Sequence, residues 1–278
     1  MSVAIAVPSL NQRRFLDDAL DSLGRANVGV RQAVLDAGST DGSRELIESR
    51  RSQLAFWRSR PDDGQAAAIN EGISVLCSAD RNEVDAVGWL NADDFFLEQG
   101  VDRLWRALSE HPDWVAVSAR GVLVDESGSS IGEVATKQFA RAHFARACTI
   151  CQPATLVRRS AWDRVGGLNG SLEMCFDYDL WWRLSRLGPI GYVDALVAAA
   201  RDHGETKTRT RRQQYFREAT AIVKRETGGV PWHWYVSEAI ERRVNYEVGH
   251  RPPFSTRMRA RFEAFPAYFR GDISRFSG

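Results

Sequence analysis

The chain has 278 residues, 44% hydrophobic and 26% charged, and a formal net charge of +1. That length suits one large domain with an appendage, and the composition excludes disordered and collagen-like classes. The balance is uneven: from Arg201 onward there are 16 Lys and Arg against 9 Asp and Glu, so an acidic body precedes a basic tail. The apolar stretch at the N-terminus is short, broken by Pro8 and without a basic leader, and there is no uninterrupted apolar run of about 18 residues. A cytoplasmic location is therefore expected.

In chain order, Val3 to Val7 is an apolar run of strand length, closed by Pro8-Ser9-Leu10-Asn11. Phe15, Leu16, Ala19, Leu20 and Leu23 then recur at helical spacing. A second strand, Gln32 to Leu35, ends at Asp36 and runs into Gly38-Ser39-Thr40-Asp41-Gly42-Ser43 before another helix. Strand, polar loop and helix alternate, which predicts a mostly parallel, doubly wound, Rossmann-like α/β sheet with ligands beyond the carboxyl ends of its strands. A strand from Val84 ends in Trp89-Leu90-Asn91-Ala92-Asp93-Asp94, where adjacent acids repel unless a cation stands by them. Asp36 and the Asp93-Asp94 pair are expected to line one cleft. Residues 98 to 111 read as a helix, 114 to 124 as a strand, Asp125 to Gly128 as a hairpin turn, and Ser160 to Val165 as a short helix stopped by Gly166-Gly167. Asp177 and Asp179 precede a helix carrying Leu180, Trp181, Trp182, Leu184 and Leu187; a tryptophan pair at a helix start is more often core, and only one of the two is expected to contact ligand. After a strand from Tyr192 to Ala200, the polar loop Arg201 to Thr208 contains His203, and from Thr210 the pattern is helical.

Four cysteines agree with a reducing compartment. Cys148 and Cys151 have the spacing of half a zinc or redox site, but neither Cys77 nor Cys175 supplies the other half, so they read as small buried hydrophobes.

Five segments, in this order, resemble the family 2 glycosyltransferases of the GT-A type: Val-Pro-Ser-Leu-Asn at 7 to 11, Asp-Ala-Gly-Ser-Thr-Asp-Gly-Ser at 36 to 43, Pro-Asp-Asp-Gly-Gln-Ala-Ala-Ala-Ile-Asn-Glu-Gly at 61 to 72, Leu-Asn-Ala-Asp-Asp at 90 to 94, and Phe-Asp-Tyr-Asp-Leu-Trp-Trp-Arg-Leu at 176 to 184. The resemblance implies transfer of a sugar from a nucleotide diphosphate, UDP- or dTDP-linked, to a hydroxyl of a glycan or lipid-linked acceptor with inversion, in cell-surface polysaccharide synthesis. It implies a catalytic domain at 1 to 209 and a helical, basic extension at 210 to 278. Pro8, Asn11, Asp36, Asp63, Gly64, Asn70, Asn91, Ala92 and Asp93 would bind the donor, with Asp36 at the nucleobase. Asp93, Asp94 and His203 would hold Mg²⁺ or Mn²⁺, and Lys207 or Arg209 would meet the diphosphate. Asn91 stands where the family often has Asp, which lowers the local negative charge.

By the same resemblance Asp177 is the general base; Asp179 either caps the helix or shares in the chemistry. No nucleic-acid partner is implied. The closing segment from Arg251 to Arg270 interleaves arginines with aromatics, and either lies on an anionic membrane surface or packs on the main domain. A sugar nucleotidyltransferase shares the cleft and the acids, but calls for a Gly-rich basic loop after the first strand, which Pro8 to Gln12 is not. A non-catalytic nucleotide- or carbohydrate-binding module has no use for an acid at 177.

Overall fold

The computed structural model describes residues 2–78, 84–241 and 254–270. Two compact units divide the chain: Met1–Phe139 with Thr149–His203, and Ala140–Cys148 with Gly204–Gly278. The first contains β1 (Ser2–Ser9), α1 (Arg13–Gly24), β2 (Gly29–Asp36), α2 (Ser43–Ser49), β3 (Phe56–Ser59), α3 (Gln65–Ser78), β4 (Val84–Trp89), β5 (Phe95–Phe96), α4 (Gly100–Glu110), β6 (Ala116–Val124) and β7 (Ser130–Glu133). The helix α5 (Arg141–Phe144) belongs to the second unit, after which β8 (Thr155–Arg158), α6 (Arg159–Val165), α7 (Phe176–Leu184) and β9 (Ile190–Arg201) complete the first.

The strands form one sheet in the order β3-β2-β1-β4-β8-β6-β9-β5, with β7 paired to β6. From β3 to β4 all pairs are parallel, whereas β8 runs antiparallel to both β4 and β6, and β5 antiparallel to β9. The sheet is thus doubly wound in its first half and mixed beyond β4. Val3 to Val7 are fully buried, as fits a central strand covered on both faces. On α1 the expected stripe of Phe15, Leu16, Ala19, Leu20 and Leu23 is the buried one. Helix α3 lies close to the sheet at Gly72, where an added Cβ would stand 2.5 Å from Leu35 and 2.9 Å from Ala6. Ala66 and Ala68 are buried on the same helix, so they serve this packing.

In the second unit, α8 (Lys207–Thr210), α9 (Arg212–Thr227), α10 (Trp232–Glu241) and α11 (Phe254–Arg270) follow α5. Trp234 donates its indole N–H to the Ala145 carbonyl at 2.9 Å, and Arg212 pairs with Glu241 at 2.9 Å. Tyr268 meets Trp232 and Tyr235 edge-on, and Ala260 and Ala264 are buried on the same helix. The first residues of the arginine and aromatic segment, Arg251 to Pro253, and residues 271 to 278 lie outside the described residues. Among the described residues, no helix is long and apolar enough to cross a membrane.

Candidate active site

Parallel register sets Ser9, Asp36 and Ser59 side by side at the carboxyl ends of β1, β2 and β3. Asp36 is fully buried: one carboxylate oxygen accepts the amides of Gly38 (3.1 Å) and Ser39 (3.0 Å) and the Ser59 hydroxyl (2.6 Å), and the other accepts the Ser39 hydroxyl. Its carboxylate thus shapes the loop that follows it. Asn11, in the left-handed region at φ 53, braces that loop from the opposite side. Its amide donates to Ser39 Oγ (2.7 Å) and its side-chain oxygen accepts the Thr40 amide (2.9 Å). Asp41 accepts the Arg13 amide (2.9 Å) and both the amide and hydroxyl of Ser43. Burial pushes its pKa up, but those hydrogen bonds outweigh it and leave the carboxyl below its ordinary value. Pro8 is buried in β1 opposite Leu35.

The third segment is organised by Arg58, which sequence reasoning passed over. Its buried guanidinium holds Glu71 (2.9 Å), Asp62 (3.0 Å) and the carbonyls of Asp36 (2.8 Å) and Arg60 (3.1 Å). Asp63 and Gly64 remain exposed beside this network, Gly64 at φ 101. The Asn70 side-chain amide donates to the Leu168 carbonyl and accepts the Leu168 amide, both at 2.9 Å, so it clamps the turn after α6.

The acidic pair splits. Asp94 turns inward, only 5% exposed, with one oxygen accepting the Arg201 amide and the other the Asn91 side-chain amide, each at 2.9 Å. Burial, and then the neighbouring Asp93 charge, raise its pKa well above its ordinary value. Asp93 turns outward and its Oδ2 lies 3.1 Å from His203 Nε2. The β5–β9 register brings this about: Phe95 pairs with Ala199 and Phe96 with Ala198, so the segment before β5 runs alongside the residues after β9. The His203 ring is buried, 5.0 Å from that of Phe15, and its Nδ1 faces the Arg14 guanidinium at 3.3 Å. A guanidinium only donates, so Nδ1 accepts and Nε2 carries the hydrogen that points at Asp93. Asn91 joins a row of amides: Gln65 donates to it (2.7 Å), and it approaches Gln152 (3.3 Å), which donates to the Trp89 carbonyl (2.9 Å). Ala92 is buried.

Among the described residues no group of three His, Cys, Asp or Glu side chains comes together as a metal cage. Asp93 and His203 supply an oxygen and a nitrogen, and their 3.1 Å spacing is about that of neighbouring ligands on an octahedral ion. The pair fits a divalent ion that takes its other ligands from substrate phosphates and water. Asp94, expected as a third ligand, has both oxygens engaged within the protein.

Helix α7 reaches this end of the sheet through Phe176, whose ring centroid lies 6.3 Å from that of Trp89 on β4. Asp177 in its first turn is half-buried and accepts the Tyr178 amide at 2.7 Å. Asp179 is 1% exposed and bound to Arg183 at 2.7 Å, and Arg183 in turn donates to the Val165 carbonyl. Asp179 therefore orients the helix. The expectation that Trp181 or Trp182 contacts a sugar is corrected: both are fully buried, Trp181 stacked on Trp89 and Trp182 edge-on to Phe139 and Tyr178. Cys148 and Cys151 carry no disulfide, and burial pushes the Cys151 thiol up to about 12, the state of an inert core cysteine.

A mixed sheet with its acids and histidine at the strand ends defines the class, and comparison with known proteins names the family. The description Glycosyl transferase family 2 matches residues 4–166, more than half of the chain, which belongs to that family. An uncharacterized glycosyltransferase of Rickettsia felis is 22% identical over 73% of the chain and 34% of its own length. The chondroitin synthase of Escherichia coli is 22% identical over 73% of the chain and 29% of its length. The hyaluronan synthase of Pasteurella multocida is 24% identical over 73% and 21%. The chain thus spans about a third or less of these relatives. Among solved structures, S. aureus TarS 1-349 in complex with UDP-GlcNAc has a TM-score of 0.64 at 13% identity, covering 99% of this chain and 83% of that one. The mannosyltransferase PcManGT from Pyrobaculum calidifontis, in complex with GDP-Man and Mn2+, has a TM-score of 0.60 at 14% identity, covering 97% and 73%. These likenesses establish the GT-A fold.

Proposed function

We propose that the chain transfers a sugar from a nucleotide diphosphate sugar, UDP- or dTDP-linked, to a hydroxyl of a glycan or lipid-linked saccharide, with inversion. The observation that carries this reading is the part-exposed Asp93 with its carboxylate 3.1 Å from the buried His203 imidazole, where the segment before β5 runs beside the end of β9. Mg²⁺ or Mn²⁺, when bound, neutralises charge building on the departing diphosphate, and Asp93 and His203 would hold it. Holding it requires His203 Nε2 to give up the hydrogen it now points at Asp93. The braced loops at 9–13 and 36–43 and the exposed Asp63-Gly64 turn would seat the nucleotide, and the amides of Gln65 and Asn91 would orient donor hydroxyls. Asp177 would take the proton of the acceptor hydroxyl as that oxygen bonds to the anomeric carbon, while the carbon–oxygen bond to the diphosphate breaks and its electrons leave with the nucleoside diphosphate. One attack opposite the leaving group inverts the carbon.

Complexes of solved relatives with UDP-GlcNAc and with GDP-Man support a nucleotide-sugar donor. The basic second unit, with Arg259, Arg261 and Phe262 exposed on α11, supports peripheral contact with an anionic membrane on which a lipid-linked acceptor resides. Thermal-shift titration with UDP-, dTDP- and GDP-sugars, with and without Mn²⁺, tests the reading. A donor at about 100 times its Kd adds roughly 2.7 kcal/mol to native stability, a readily measured shift. A Mn²⁺-dependent shift with one donor class is expected; no shift with any of them overturns the proposal.

A further inference from the structure

We propose that Arg201 is a positioning residue which fixes where Asp93 stands against His203. Arg201 is 5% exposed and ties two separate elements to the acidic segment. Its Nε donates to the Asp93 carbonyl (2.9 Å), Nη1 to the Glu126 carbonyl in the β6–β7 turn (2.7 Å), and Nη2 to Asp18 on α1 (2.8 Å). Its own backbone amide donates to the Asp94 carboxylate at 2.9 Å. The guanidinium lies over the Phe15 ring at 4.4 Å and near Phe95 at 5.4 Å.

The carboxylate its guanidinium pairs with among the described residues, Asp18, is 60% exposed, so that ion pair alone does not account for so buried a cation. The flat, forked guanidinium does: it reaches carbonyls on different sides while its faces rest on aromatic rings, which the point charge of a lysine cannot reproduce. Arg201 therefore holds both ends of the contact. It grips the backbone of Asp93 directly, and it stands two residues before His203 on the strand that delivers the imidazole. The Glu126 segment adds a second arm, since the Glu126 carboxylate lies 3.4 Å from Arg14, which faces His203 Nδ1.

That Asp93 serves a nucleotide sugar is the reading given above; that Arg201 sets its place is independent of it. The test uses ¹⁵N-labelled full-length protein and the imidazole spectra of its five histidines, with His203 assigned by His203→Gln. Arg201→Lys is expected to move the His203 resonances alone and to weaken Mn²⁺-dependent donor binding by about 10- to 100-fold, the usual effect of losing a group that orients a ligand. Asp18→Asn is expected to move the same resonances less, and it decides by that readout if Arg201→Lys does not fold. Unmoved His203 resonances in a folded variant overturn the proposal. So do shifts spread over all five histidines with donor affinity per folded molecule unchanged, which would mark Arg201 as general framework. Should wild type bind no donor while the His203 resonances respond, the functional reading falls and the positioning role stands.

Discussion

The rim of the crevice and the layer just beneath it both carry carboxylates, but in opposite states. Asp36, Asp94 and Asp179 lie inside, 0%, 5% and 1% exposed, with both oxygens of the first two taken by loop, strand and amide donors and Asp179 on Arg183. Asp93 and Asp177, each one or two residues from an inner acid, turn outward and remain part-exposed. The inner acids are engaged within the protein, and under the function proposed above the outer ones meet the ligand. Substitution within each neighbouring pair separates the two layers, because an inner change strands buried donors whereas an outer change removes chemistry.

The widest separation is expected at α7. Asp177→Asn keeps size and most hydrogen bonding but cannot accept a proton, so donor binding should persist while glycosyl transfer falls by on the order of 10² to 10⁴-fold. Asp179→Asn should instead lower the melting temperature more than the turnover of the folded enzyme, since it loosens the Arg183 contact that ties α7 to the end of α6. Product analysis belongs to the same experiment: retained anomeric configuration would exclude a single displacement with Asp177 as base. A larger loss of turnover at Asp179 would reverse the assignment of layers.

At the acidic pair the contrast should be smaller and of a different kind. Asp93→Ala should remove the Mn²⁺-dependent part of donor stabilisation with little change in the melting of the unliganded protein. Asp94→Ala leaves the Arg201 amide and the Asn91 side chain without their acceptor, a cost of about 1 to 3 kcal/mol in unliganded stability. Melting curves of both variants with and without donor and Mn²⁺ distinguish the two. If Asp94→Ala alone loses the Mn²⁺ effect, the inner carboxylate is the ligand and the layers are misassigned.

How far the sequence discloses this arrangement depends on how local each part is. The Asp36 loop and the Asp93-Asp94 end are contiguous segments with turn chemistry, so their residue types alone point to a crevice at the strand ends. The outward turn of Asp93 needs the β5–β9 register, and the inward turn of Asp94 needs the Arg201 amide 107 positions away. Asn70 shows the opposite case. Its position in a binding segment suggests a ligand contact, but its amide closes on Leu168, 98 positions on, through a turn shaped by Gly166-Gly167. The tryptophans fail in the same way: Trp181 is buried because Trp89 waits at the end of β4, a pairing no local pattern reveals. Arg201 carried a readable signal, a charge closing the apolar run Leu196 to Ala200 just before His203. Asn70→Ala should accordingly cost stability, about 1 to 2 kcal/mol for two lost hydrogen bonds, and leave donor affinity unchanged. Weakened donor binding at full stability would return Asn70 to the rim.

The smallest effect on the enzyme itself is expected in the second unit, where the comparison is between the acidic body and the basic tail. On α11, Ala260 and Ala264 are buried while Arg257, Arg259 and Arg261 are exposed and Phe262 is 74% exposed. A cationic face with an exposed aromatic is the composition that lies on anionic lipid, where each arginine near the surface contributes about 1 kcal/mol and the attraction fades over about 8 Å at physiological ionic strength. Co-sedimentation with vesicles containing anionic phospholipid should therefore show binding that weakens as salt is raised, and none with neutral vesicles. Arg259→Ala with Arg261→Ala should reduce it without altering turnover on a soluble acceptor. Equal binding to neutral and anionic vesicles would make the contact apolar and centred on Phe262, and no binding to either would leave this face to a protein partner or a second copy of the chain.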